Sequence, residues 1–269
     1  MVKVAPMIAA VDIGNTRAKF GLFKRQADGQ VHAQTVEAVP LSTHQQLRKD
    51  LRAWSDRHRV QQDVSELLLA GSNPNLRSSL TSDWPIKTPQ PNVIQDYRRI
   101  PIEHSLDFPE RTGIDRLLNA CAAKHYSPGT RPLIIVDSGT ATTVDLMTAD
   151  GIFRGGSILP GLRLSARALH DYTARLPLLD VDESILTMPQ VPGTNTTDAI
   201  LSGLFLGQLG AVREIVQRLQ IALRQQWQET REAGIIVTGG GGRQIAGHLP
   251  ESRYIDSLAL CGLATLASV

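Results

Sequence analysis

The apolar positions fall into short blocks separated by polar turns, and their period shifts between two and about four along the chain. Met7 to Val11 is a small apolar run that ends on Asp12 and the turn Gly14-Asn15-Thr16. A second run through Phe20 and Phe23 follows, so the pair predicts a hairpin, and Val31 to Val39 predicts a third strand. The first sheet therefore begins as an antiparallel meander. Leu47, Leu51 and Trp54 recur at i, i+4 and i+7 behind Ser42 and Thr43, which is the spacing and the capping of a helix. Arg48, Lys49, Arg52, Asp56 and Arg57 form its solvated face. Glu66 to Ala70 reads as another short strand. Prolines at 85, 89, 91, 101 and 109 exclude a single helix between Trp84 and Pro109, leaving short strands and loops. Leu117, Leu118, Cys121 and Ala122 mark a helix within residues 111–126.

The second half repeats the opening. Leu133 to Val136 predicts a buried strand that ends on Asp137, then a turn of small and hydroxyl residues, Ser138 to Thr143, then a strand to Met147. Gly155 to Gly161 reads as a glycine-rich loop leading into a helix from Leu162 to Arg175. Asn195 and Thr196 precede a helix running to about Trp227, with Gly203, Gly207 and Gly210 on one side, where another element can pack closely. Ala233-Gly234 ends it. Ile235 to Val237 is a strand, Gly239 to Gly242 are four consecutive glycines, and Ser257 to Ser268 predicts a small-residue helix.

Asp and Gly after a strand are ordinary turn chemistry. Two copies of strand, Asp, one residue, Gly and hairpin, one in each half, point instead to a duplicated domain with two phosphate-facing turns. Such a turn lets a phosphate approach the backbone N–H groups, and the carboxylate beside it can hold a cation. After the third strand-end signal, Gly239 and Gly240 offer a wall without side chains, suited to a nucleotide. Gly113, Asp115 and Arg116 open the helix at 111–126. An acid in the first turn is favoured by the helix dipole alone; beside a guanidinium it can also serve as a general base, with the Arg holding an anionic substrate.

Composition changes this picture little. The chain has 269 residues, 42% hydrophobic and 20% charged, as in an ordinary globular protein. A net charge of +2 with no run of five like charges gives no reason to expect nucleic acid. No uninterrupted apolar stretch of membrane-spanning length and no signal-peptide pattern occur, so no membrane is expected and the cytoplasm is the expected compartment. The two cysteines, Cys121 and Cys261, sit in apolar helical patterns and read as buried small residues. No GxxxxGK[ST] motif occurs, which excludes a P-loop kinase.

The motifs Asp12-Ile13-Gly14-Asn15-Thr16, Gly113-Ile114-Asp115-Arg116, Asp137 to Thr143 (DSGTATT), Gly155 to Gly161 (GGSILPG), Asn195-Thr196 and Thr238-Gly239-Gly240 stand in this order over nearly the whole chain. The set resembles the acetate and sugar kinase, Hsp70 and actin superfamily, and within it the type III pantothenate kinases. The resemblance implies an α/β fold of duplicated ribonuclease-H-like (actin-like ATPase) domains, mixed sheets flanked by helices with a cleft between them, divided at residues 1–130 and 131–269. It implies ATP-dependent phosphorylation of pantothenate, the first step of coenzyme A synthesis, by a homodimer. Asp12 would hold Mg²⁺ through water, with Gly14, Asn15, Thr16 and Lys19 around the transferring phosphate. Asp115 would accept the proton of the substrate hydroxyl, and Gly113, Ile114 and Arg116 would contact pantothenate. Asp137 would bind K⁺ or NH₄⁺; Gly139, Thr140, Gly239 and Gly240 would line the ATP site. Thr196 would touch pantothenate from its own subunit or from the other one. Two departures stand out: Ser138 where the family usually has an aromatic residue, and Leu106-Asp107-Phe108-Pro109 where it often has Tyr-x-Asn-Pro. The alternatives are a kinase of another small hydroxyl-bearing substrate, or a nucleotide-binding regulator without turnover.

Overall fold

The computed structural model describes residues 7–26, 29–87, 89–126, 131–181 and 188–268. The first half of the chain runs β1 (Met7–Ile13), β2 (Arg17–Arg25), β3 (Val31–Pro40), α1 (His44–Arg57), α2 (Val60–Asp63), β4 (Val64–Ala70), α3 (Pro74–Ser82), β5 (Pro91–Val93) and α4 (Ile114–Tyr126). The second runs β6 (Leu133–Ser138), β7 (Ala141–Met147), β8 (Phe153–Pro160), α5 (Leu162–Asp171), α6 (Thr196–Gln226), β9 (Gly234–Thr238), α7 (Gly242–Gly247), β10 (Ser252–Tyr254) and α8 (Leu258–Thr265).

Two compact units result, each with a five-stranded sheet. The first sheet has the order β3-β2-β1-β4-β5 and the second β10-β9-β6-β7-β8. In each, three consecutive strands form an antiparallel meander, and two later strands join parallel beside the first of them. Counted within its own half, the second sheet has the strand order of the first. The duplication is the one the repeated Asp–x–Gly turn predicts, and the topology is the ribonuclease-H-like one that the resemblance implies.

In the first unit the parallel strands β1 and β4 are covered on both faces, so they read as near-continuous apolar runs. On one face, Leu47, Leu51 and Trp54 of α1 pack on Val11, Ile13, Phe20, Leu67 and Leu69. The Trp54 and Phe20 rings lie 5.5 Å apart. Burying a side chain such as Leu51, fully inaccessible here, stabilises the fold by about 1.5–3 kcal/mol. Thr43 caps α1 by accepting the Gln46 N–H. α8 is buried from Leu258 to Ala264 and lies so close to α4 that a Cβ at Gly262 would sit 2.1 Å from the Leu118 carbonyl. In the second unit the sheet packs on α6: Ile134, Val136, Val144 and Leu146 meet Val212, Val216 and Leu223.

Several elements differ from expectation. The last thirteen residues group with the first unit, and Glu103–Leu106 with the second, so the expected division at 131–269 gives up α8 to the first sheet. Residue 130 itself lies outside the described residues. Gly155 to Pro160 belong to a strand, β8, rather than a loop. Glycine is there because the strands approach closely: a Cβ at Gly156 would fall 2.0 Å from the Val144 carbonyl of β7. Ala233-Gly234 does not end α6, which has already stopped at Gln226; Gly234 opens β9. The short α3 and β10 carried no apolar period long enough to announce them. Finally, α6 is long and apolar enough to cross a membrane by length and composition, contrary to the expected absence of such a stretch. Its buried row of Ile200, Phe205, Leu209, Val212, Val216 and Leu223 is that of a core helix.

Candidate functional site

In the first unit, β1 delivers Asp12 to the mouth of the β1–β2 hairpin. Lys19 is its cross-strand partner on β2, so carboxylate and ammonium stand on one face of the sheet. The Gly14 N–H closes the turn on the Arg17 carbonyl at 3.0 Å, and Asn15 and Thr16 at its tip are exposed. Ala70, the last residue of β4, pairs with Asp12. Just beyond it Gly71 lies across β1, where a Cβ would come within 2.3 Å of the Ile13 carbonyl. Two parallel strands therefore end side by side, the position where open α/β sheets bind ligands. The role of Gly71 in packing that second loop onto the Asp12 turn has no signal in one sequence.

The same unit carries Asp115 in the first turn of α4. The Asp115 Oδ1 accepts the Arg116 backbone N–H at 3.0 Å, while the Arg116 N–H also meets the Gly113 carbonyl at 3.1 Å. A Cβ at Gly113 would lie 2.4 Å from Asp115 Oδ1. Gly113 thus gives the carboxylate room to fold back over the helix start. Nearby, the Arg111 guanidinium stacks on Phe108, 4.9 Å from the ring centroid, and Phe108 is 59% exposed.

In the second unit the corresponding turn is built more tightly. Asp137 pairs with Thr143 on β7 and with Thr238 on β9. The Gly139 N–H donates to the Ala141 carbonyl at 3.1 Å, the Gly161 N–H to the Thr140 carbonyl at 3.0 Å, and the Gly241 N–H to the Ser138 carbonyl at 3.1 Å. Gly239 has a φ of +91°, and a Cβ there would meet the Ser138 carbonyl at 2.3 Å and Asp137 Oδ1 at 2.6 Å. Of the four glycines, this one is required by both conformation and space. The run is an ordered turn into α7 rather than a linker, with Gly239 buried and Gly240 exposed. Tyr254 donates to the Gly239 carbonyl at 3.4 Å and lies under the Arg243 guanidinium, 4.6 Å from the ring centroid. Burial, with the Asp256 carboxylate second, pushes its phenol up to about 12, so it remains a donor over the working pH range.

Also in the second unit, a pocket of ≈ 970 Å³ lies between α5, the segment from Tyr172 to Leu176 and the start of α6. Its lining is mainly apolar and includes Pro160, Tyr172, Asn195, Thr196 and Ile200. Pro160 directly precedes Gly161, which is bonded to the Asp137–Thr140 turn, so pocket and turn adjoin. Asn195 caps α6 by accepting the Asp198 N–H at 3.0 Å, and Thr196 is exposed at the pocket.

The predicted site residues thus fall into four places: the Asp12–Lys19 hairpin, the start of α4, the Asp137–Thr140 turn with Gly239, and the pocket at Thr196. Among the described residues no group of three or more His, Cys, Asp or Glu forms a metal cage. That suits Mg²⁺, which keeps most of its waters and is held by one or two carboxylates plus substrate phosphates; Asp12 fits this manner of binding. The Asp137 carboxylate, flanked in register by Thr143 on β7 and Thr238 on β9, offers hard oxygen donors of the kind that suits a monovalent cation.

A family model described as type III pantothenate kinase matches residues 8–218. A type III pantothenate kinase of Rubrobacter xylanophilus is 34% identical over 97% of this chain and 97% of its own. One from Hyphomonas neptunium is 31% identical over 93% and 94%. Among solved structures, a Baf family protein from Campylobacter jejuni, described as a transcriptional activator, superposes with a TM-score of 0.59 at 18% identity, covering 96% of each chain. At that identity the likeness concerns the fold alone.

Proposed function

The chain belongs to the type III pantothenate kinase family, and from that premise we propose how its residues divide the transfer of a phosphoryl group from ATP to pantothenate, the first step of coenzyme A synthesis. Such a transfer needs positioning and charge neutralisation more than covalent chemistry by the protein. Mg²⁺, when bound, would supply positive charge against the phosphates of ATP. Asp12 holds it through water, and Lys19, opposite Asp12 on β2, faces the transferring phosphate together with Gly14, Asn15 and Thr16. Asp137 holds K⁺ or NH₄⁺. Gly139, Thr140, Gly239 and Gly240 give ATP a wall of backbone groups it can approach closely.

Asp115 is the general base. Its carboxylate takes the proton of the primary hydroxyl as that oxygen bonds to the γ-phosphorus. The bond from phosphorus to the β,γ-bridging oxygen breaks, and ADP leaves. Arg116 holds the carboxylate of pantothenate, with Gly113 and Ile114 beside it. Thr196 touches pantothenate from the pocket at the start of α6. The observation that carries this reading is the repeated hairpin: two strand-end carboxylates, each beside a glycine turn, in sheets of one topology.

We also assign the working form as a cytoplasmic homodimer that takes ATP and pantothenate and binds neither nucleic acid nor membrane. Apart from Phe108, the exposed large apolar side chains of the described residues, among them Ile158, Leu164, Tyr172 and Leu206, lie between positions 158 and 206 of the second unit, a concentration that supports contact with a second copy there.

The test is purified protein with ATP, Mg²⁺, K⁺ and pantothenate, followed by mass spectrometry. Formation of 4′-phosphopantothenate with ADP is expected. ADP formed only with other alcohols would favour the kinase of a different substrate, and ATP binding without turnover would favour a regulator.

A further inference from the structure

The row of side chains that β6 and β7 turn toward α6 is apolar until it reaches the phosphate turn. Its cross-strand pairs are Ile134 with Leu146 and Val136 with Val144, and then Ser138 with Thr142. On α6 the facing row follows the same change: Val216 and Val212 are apolar, and Gln208, one turn earlier, is polar. Ser138 is 1% exposed, Thr142 0% and Gln208 7%. The Gln208 amide Nε2 donates to both hydroxyls, to Ser138 Oγ at 3.2 Å and to Thr142 Oγ1. Among the described residues its Oε1 is buried without a partner. An amide kept in an apolar layer with half its capacity unmet is costly, and a Leu would fill the same space.

Successive residues of a strand point to opposite faces, so Ser138 looks toward α6 while Asp137 looks away, one peptide apart. Among the bonds that hold that peptide and the turn after it are two from the backbone, Gly241 to Ser138 and Gly161 to Thr140, and the side-chain bonds from Gln208.

We propose that Gln208 is a positioning residue for phosphoryl transfer: by holding Ser138 and Thr142 it sets the direction of the Asp137 carboxylate and of the Gly139 and Thr140 groups toward nucleotide and cation. The proposal rests on the reading of Asp137–Thr140 as the phosphate and cation turn. It ties the orientation of that turn to α6, the helix whose first residue is Thr196.

The test compares Gln208→Leu with the triple variant Ser138→Ala/Thr142→Val/Gln208→Leu, in which no polar group is left unmatched. Gln208→Leu is expected to weaken ATP binding and raise the K⁺ needed for half-activation about tenfold, the scale of one or two hydrogen bonds. The KM for pantothenate should stay within about twofold. The triple variant should regain melting temperature without regaining ATP affinity. Ser138→Ala, which leaves the Gln208–Thr142 bond, should move the same quantities less and guards against a Gln208→Leu chain that fails to fold. Hydrogen exchange of the 137–143 segment without nucleotide should be faster in Gln208→Leu. Faster exchange in a protein whose wild type binds no ATP would uphold the positioning and sink the phosphate reading. Unchanged exchange, or full recovery of ATP affinity in the triple variant, would overturn the proposal.

Discussion

At the scale of single residues, Asp115 and Gly113 make one unit. The carboxylate folds back onto the Arg116 N–H, and glycine at 113 leaves it the space to do so. Asp115→Asn is expected to keep ATP binding and lose turnover about 10²-fold or more, the usual weight of a positioned base. Near wild-type turnover would remove Asp115 from the role. Gly113→Ala leaves the Asp115 carboxyl intact but pushes it aside. Misplacement of about an ångström is worth up to ~10²-fold, so kcat should fall while the melting temperature holds; equal losses in both would make Gly113 a folding residue only. The thiols give a contrasting case. Burial pushes the Cys121 thiol up, and its contact with Thr265 offsets this only in part; Cys261 is buried as well. Neither should react with a thiol reagent at neutral pH in the native protein, and both should react in denaturant. Prompt native labelling would show that α4 and α8 part readily. As a candidate, Asp115 could be picked from the sequence because Arg116 puts a cation beside it at a helix start, where the dipole disfavours one. Gln208 was not legible, because an amide on a helix has no partner until the sheet register sets Ser138 and Thr142 beneath it.

At the scale of elements, the turns are where sequence and structure agree and disagree most informatively. The hairpins at Asp12 and Asp137 followed from apolar runs ending on a carboxylate and glycine, because the local signal and the tertiary role coincide. The run Gly155 to Pro160 misled, since glycine marks a turn by default and only the closeness of β7 makes it a strand residue here. The Gly239–Gly242 turn separates glycines that matter from those that do not. Gly239→Ala forces a left-handed conformation at a cost of about 1–3 kcal/mol and drives a methyl at the Ser138 carbonyl and the Asp137 carboxylate. Chemical denaturation should show that loss, and ATP binding should weaken with it. A stable Gly239→Ala protein with normal ATP affinity would separate this turn from the nucleotide site. The start of α6 offers a milder case: Asn195→Ala removes the side-chain acceptor of the Asp198 N–H and should cost about 1 kcal/mol of stability.

At the scale of the whole molecule, the duplication was visible because each half repeats its chemistry in the same order, while the assignment of the C-terminal helix was not. α8 is apolar on nearly all sides and would suit either sheet by composition; packing decides it, with Gly262 on Leu118 and Leu260 at Gly21 of β2. The same ambiguity attends Gly203, Gly207 and Gly210, whose spacing signals a close neighbour without saying which. Among the described residues nothing lies within 4 Å of a Cβ at any of the three; Gly203 lines the pocket beside α5, and no described element packs directly on Gly207 or Gly210. A leucine at 207 therefore meets opposite fates in the two possible states. In a lone chain it enters open space and replaces the poorest helix former but proline, a gain of up to about 1 kcal/mol. Against the α6 face of a second copy it holds the two surfaces apart. The wild-type protein is expected to scatter light as twice the 29.3 kDa chain, and Gly207→Leu as one chain with no loss of helix content. If Thr196 serves the partner's pantothenate, activity should fall with the dimer. A single-chain mass for the wild type would end the homodimer, and a monomeric Gly207→Leu protein with full activity would end the shared pocket.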